Sequence, residues 1–223
     1  MVTDVFPETA KEGIAMLETA YQISGILMTL TLIIGLVQVY YLKRDLRITN
    51  ERAAAEKSVE FLNWFASYLM PKFQSYKSRI AELEADNAEL GALLRKKRAI
   101  PEGFEKDSFD DEDMLVAFIQ GEAGGEDLIN QLEFFAAAMV SGLANADIVY
   151  RPVGLLYCMM VEELMLILCL NRQDDRRHLY PNTVELYRKW SHRLARDRLR
   201  EEQRTISEKM KQYEDGRLKT IGL

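Results

Sequence analysis

The 223-residue sequence predicts an all-α protein: an N-terminal transmembrane helix, a long juxtamembrane helix with a coiled-coil segment, and a cytoplasmic helical bundle. Three observations carry that expectation. A run without charge extends from after Glu18 to Lys43. Beyond it, apolar residues recur at steps of three and four, the spacing of one helix face. Five prolines and twelve glycines, in no repeated turn cluster, leave little punctuation for a sheet.

Residues 1–20 read as a short extracytoplasmic tail able to form an amphipathic helix, with Pro7 near its start and Ile14, Met16 and Leu17 along it. Residues 21–42 (YQISGILMTLTLIIGLVQVYYL) are the transmembrane helix. At 1.5 Å per residue they extend over roughly 33 Å, enough to cross a hydrocarbon core. Tyr21, Tyr40 and Tyr41 stand at its ends, where amphipathic rings favour the headgroup level. Lys43, Arg44 and Arg47 come directly after, whereas the preceding tail carries Asp4, Glu8, Glu12 and Glu18 against Lys11. That asymmetry places the N-terminus outside and the body in the cytoplasm, on an inner membrane. The acidic flank and the lack of a small-x-small cleavage site argue for a retained anchor over a signal peptide. Gly25-x-x-x-Thr29 and Thr31-x-x-x-Gly35 are spacings that permit close helix contact.

Residues 43–98 continue as juxtamembrane helix and coiled coil. Val59, Leu62, Ala66, Leu69, Phe73, Tyr76, Ile80, Leu83, Asn87, Leu90 and Leu94 fall on an a/d register. Asn87 takes an a position between leucines, where a buried Asn favours two strands in register. Ile80, Leu83, Asn87, Leu90 and Leu94 are therefore the candidate interface of a parallel dimer, or one arm of a helix pair within the chain. Pro71 interrupts the run, and the wide apolar face of Val59–Phe73 suits the core of the body.

Residues 99–112 form a linker with Pro101, Gly103 and a charge run. The carboxylates Asp110–Asp113 lack the ligand alternation and central glycine of a calcium loop, and suit a helix N-terminus. Residues 113–223 are expected to form the bundle, packing with part of 43–76. Gly124-Gly125 separates its first two helices, and Asn145 can cap the next. The apolar stretch 153–170 is long enough for a second span. Glu162 and Glu163 at its middle would each cost about 3 kcal/mol in the bilayer centre, so it reads as a central buried helix.

Leu132-Glu133-Phe134, the Gly142 … Asp147 turn, and Tyr150 leading into a long apolar helix resemble a bacterial family of uncharacterised single-pass membrane-anchored helical proteins. The likeness covers roughly residues 20–170. It implies the same layout of anchor, juxtamembrane helix and compact body, and implies no activity.

The net charge of −6 argues against a general nucleic-acid binder. Cys158 and Cys169 read as reduced core thiols. In the C-terminal segment, Arg193, Arg196 and Arg200 could meet anionic lipid or a phosphate, although neighbouring acidic residues also fit a solvated face. No glycine-rich phosphate loop, metal-ligand spacing or nucleophile turn is present, so no catalytic, cofactor or metal residue is assigned. The function expected is a membrane-anchored interaction or scaffold module that holds itself, as a homo-oligomer, or an unidentified protein partner at the cytoplasmic face. Two alternatives stand beside it. One is a membrane effector of a defence or toxin-like system, acting by oligomerisation. The other is a divergent all-α hydrolase using Glu133, Glu162 or Glu163.

Overall fold

The structure, a computed structural model, describes residues 8–96, 98–106 and 108–220. All regular structure among them is helical. The elements are α1 (Glu8–Trp64), a π turn (Phe65–Leu69), α2 (Met70–Asp86), α3 (Ala88–Arg95), α4 (Asp111–Glu122), α5 (Gly125–Val140), α6 (Ala146–Glu163), α7 (Met165–Asn171) and α8 (Pro181–Thr220). Two compact units emerge, Met1–Arg52 and Ala53–Leu223, and each is taken by itself. The expected tail residues Asp4 and Pro7 lie outside the described residues.

In the first unit, helix α1 contains a window long and apolar enough to cross a membrane. From Tyr21 to Leu42 every large apolar side chain stands exposed. The hydroxyls of Ser24, Thr29 and Thr31 donate to carbonyls of their own helix, at 2.9, 2.9 and 2.8 Å. They are thereby satisfied without a second helix.

The second unit gathers its core around Phe135, which is fully buried on α5. Its ring meets Phe65 at 5.2 Å, Tyr157 of α6 at 5.7 Å and Trp190 of α8 at 6.2 Å. Such tilted and edge-on pairs add to the burial of aromatic area. Helices α6 and α7 meet at Leu164 with a bend of 63°, and most of α7 is buried. The stretch 153–170 is therefore two core helices of the body, not one straight rod. Gly125 makes the α4–α5 turn possible: a Cβ there would overlap Ile167 and lie 2.7 Å from the Gln120 carbonyl. Gly124, at φ +101°, supplies the left-handed residue that starts α5.

Two features of residues 53–95 differ from expectation. The first is the π turn just before Pro71. Proline cannot donate to the carbonyl four residues back and clashes with it, and a π turn absorbs that conflict while the helix continues. The turn also shifts the register. Up to its first residues, Ser58 and Phe65 are buried while Val59 and Ala66 are exposed, one position off the expected a/d series. From its last residue onward, Leu69, Tyr76 and Ile80 fall where the series puts them.

The second is at Asn87. The expected unbroken helix through Ile80–Leu94 is corrected by the structure: α2 stops at Asp86, and Asn87 is extended at φ −143°, ψ 108°. Its side chain accepts from the backbone N–H of Glu89 at 3.0 Å and of Leu90 at 3.1 Å, so it caps α3. An Asn oxygen satisfying two orphan N–H groups outcompetes the helical conformation at that residue. Helix α3 turns back to pack on α2 and also touches α4. Within this chain the segment is therefore two helices, and no continuous helical face runs from Ile80 to Leu94.

Candidate functional site

The three carboxylates singled out in the sequence all bind neighbouring helices. Glu133 of α5 is half-buried and reaches the first turn of α8. Its Oε2 accepts from the Thr183 backbone N–H at 2.7 Å and from Thr183 Oγ1 at 2.8 Å. Its Oε1 accepts from Asn182 Nδ2 at 2.7 Å and from the Asn182 N–H at 3.2 Å. A carboxylate there also complements the helix dipole, so Glu133 acts as a cap supplied from another element. Glu162 is exposed and accepts from Tyr187 Oη at 3.0 Å. Glu163 pairs with Lys77 of α2 at 2.8 Å. Their partners are thus a tyrosine of α8 for the exposed Glu162 and a lysine of α2 for Glu163. Each of the three thus has its own partners on a different helix.

Asp113, nearly buried, accepts from Arg98 Nε at 2.6 Å and from Lys106 Nζ. Asp110 caps α4 by accepting from the Asp113 N–H at 2.7 Å. The acidic group thus ends as a helix start and an ion triad centred on the buried Asp113. Among the described residues no group of three or more His, Cys, Asp or Glu is placed to hold a metal ion. Burial pushes the Cys158 thiol up to about 12, with the Glu162 charge adding to it, and the Cys169 thiol up to about 11. Both are free and buried. At neutral pH they are thiols, the unreactive form.

The basic residues of the anchor flank, Lys43, Arg44 and Arg47, are exposed, and Arg47 pairs with Glu51 at 3.0 Å. On α8, Arg193 pairs with Asp147 and lies 3.9 Å over the Tyr150 ring, which commits it to holding α8 on α6. Arg200 is exposed 3.9 Å from Asp197, and Arg196 is exposed. Only the first part of α8 packs, through Leu186 and Trp190. Leu199, Ile206, Met210 and Tyr213 are exposed, so the expected folding of the whole segment onto the body stops near Leu194.

Two surface features escaped the sequence reading. One is an aromatic face in which Phe134, 57% exposed, lies 5.7 Å from Trp64 and 5.9 Å from Phe61, with Tyr68 beside Trp64 at 5.5 Å. The apolar residues of 128–139 and the wide face at 59–73 were both visible, but not that they meet with Phe134 and Tyr68 left exposed. The other is a polar cavity of about 100 Å³ lined by Glu105, Lys106, Arg172, Gln173, Asp174 and Arg177. Nothing in local spacing relates residue 105 to residue 172, so no motif could have found it.

Among the described residues the regular structure is all helical, and one helix near the N-terminus is long and apolar enough to cross a membrane. No family model, curated protein or solved structure matches the chain. The resemblance to a membrane-anchored family accordingly rests on its few motif residues alone.

Proposed function

We propose that this chain is a membrane-anchored helical interaction module, with residues 21–42 in the bilayer and the helical bundle of 53–223 on the cytoplasmic side. The observation that supports it most is the apolar helix: about six turns of large aliphatic side chains lie exposed, far more than a soluble surface carries without a cover. Lys43, Arg44 and Arg47, directly behind the run, favour cytoplasmic placement of the body. The body supports an interaction role over chemistry, because its notable carboxylates are occupied by interhelical contacts. Its aromatic face at Trp64, Tyr68 and Phe134 is the surface on which a protein partner docks.

Alkaline extraction of membranes, with impermeant labelling of a cysteine introduced at position 196, tests the reading. The chain should stay in the membrane pellet, and position 196 should label only after permeabilisation. Release into the supernatant, or labelling in intact cells, would overturn the anchor or its orientation. A photo-crosslinker at position 134 should give discrete adducts that a crosslinker at exposed Glu122 does not. The same pattern at both positions would remove the aromatic face from the proposal.

A further inference from the structure

The polar cavity beside the α7–α8 connection has an unusual electrostatic balance. Arg172 ends α7 and is 7% exposed. One of its terminal nitrogens, Nη1, donates to the Leu179 carbonyl. Its Nε–H is buried with no acceptor, and a buried donor in that state loses the full cost of its desolvation. Its Nη2 lies 3.8 Å from Glu105 Oε1, and Arg177 Nη1 lies 3.7 Å from Glu105 Oε2. Both separations allow attraction but exceed hydrogen-bond length. One carboxylate, 44% exposed, is therefore shared between two guanidiniums without bonding either.

Charge around the cavity does not close. Lys106, Arg172 and Arg177 face Glu105 and Asp174. Lys106 is shared with Asp113, but Arg98 also serves that carboxylate, so the surplus stays at one positive charge. If the half-exposed Glu105 swings outward, the surplus becomes two. That matches a phosphate group, which carries about −1.5 to −2 at neutral pH and offers three or more acceptor oxygens. Such a tetrahedral anion supplies what Glu105 fails to supply: an acceptor for a donor of Arg172 and, at the same time, for one of Arg177. Guanidinium forks suit that geometry.

We infer that this cavity is a phosphate-binding site in which Arg172 and Arg177 hold a phosphate dianion or phosphomonoester and Glu105 is the resident carboxylate it displaces. The group comes from one of two sources, free in solution or on a lipid headgroup. This inference stands on the body alone and does not depend on the aromatic docking face.

The test uses the full chain in phosphatidylcholine nanodiscs, with thermal unfolding followed by tryptophan fluorescence as inorganic phosphate rises at constant ionic strength. Phosphate should raise Tm saturably, whereas sodium chloride at matched ionic strength should not. Loss or gain of one charged contact should move half-saturation by about tenfold or more: Arg177→Gln to higher phosphate, Glu105→Gln to lower. Both positions are exposed enough for the variants to fold. Nanodiscs containing phosphatidic acid distinguish the sources. If lipid fills the site, they raise Tm and abolish the phosphate response. If the source is soluble, the response persists in them. Absence of a saturable response to either ligand in both wild type and Glu105→Gln would overturn the site. A response unchanged by both substitutions would likewise place the anion elsewhere.

Discussion

Replacing Glu133 tests the reading that this carboxylate is a cap and not an acid or base. Its four acceptor contacts divide into two pairs. The Asn182 pair is half-exposed, and water can replace it at little cost. The Thr183 pair is different, because Thr183 is 1% exposed and both its N–H and its hydroxyl would lose their acceptor in Glu133→Ala. Two buried donors left unpaired cost about 1–1.5 kcal/mol each, and loss of a charge at a helix N-terminus adds about 0.3–1 kcal/mol. The expected destabilisation is therefore about 3 kcal/mol, a fall in Tm of roughly 6–12 °C for a body of this size. Glu133→Gln keeps one oxygen but turns an amide donor towards the other pair, and should cost about half as much. The measurement is urea unfolding of the full chain in detergent, followed by tryptophan fluorescence, since Trp64 and Trp190 both lie against Phe135. A double-mutant cycle with Thr183→Ala should return a coupling of about 1–2 kcal/mol. Destabilisation by Glu133→Ala of less than about 0.5 kcal/mol, the level of an ordinary surface change, would refute the capping argument.

Further outcomes rest on the same geometry. Cys158 and Cys169 should resist thiol reagents at pH 8 in the folded chain and react fully in denaturant; rapid labelling without denaturant would contradict their burial. Both thiols ionise near 9 when unfolded and at about 12 and about 11 when folded. Their contribution is therefore fully present below pH 9. Above it the unfolded state loses protons first, and stability falls by up to about 1.4 kcal/mol per pH unit per thiol until the folded values are reached. Urea midpoints at pH 8 and pH 10.5 should differ less in a double Cys→Ala variant than in wild type. Gly125→Ala should cost about 1–3 kcal/mol through overpacking against Ile167 and Leu164, measured by the same unfolding curves. Leu83→Glu with Leu90→Glu should lower Tm while leaving the mass by light scattering in detergent unchanged, because these residues belong to a pair of helices that pack together within the chain. A drop in mass would instead return Ile80–Leu94 to the role of an interface between copies.

Helical class, anchor-length apolar run and several helix ends were legible in the sequence because each depends on neighbours in the chain. Charge-free length is a local property, and so are the caps: Asp110 before α4 and Asn145 before α6 act within three residues. Asn87 belongs to the same class, yet the heptad pattern concealed it. An Asn at an a position and an Asn at an N-cap look alike in sequence, and the choice turned on whether α3 could pack back against α2. The register up to the start of the π turn failed for a related reason, since such a turn inserts a residue that no periodicity anticipates. Glu133, Glu162 and Glu163 were visible as notable carboxylates, but their roles required knowing that Thr183, Tyr187 and Lys77 would arrive opposite them from 50, 25 and 86 residues away. The cavity at Arg172 is the extreme case. Its charges come from Glu105 and Lys106, just after a short turn at Glu102–Phe104, on one side and from the α7–α8 connection on the other. Electrostatic balance depends on distance in space, and only the packing of α7 against those residues brings them within 4 Å.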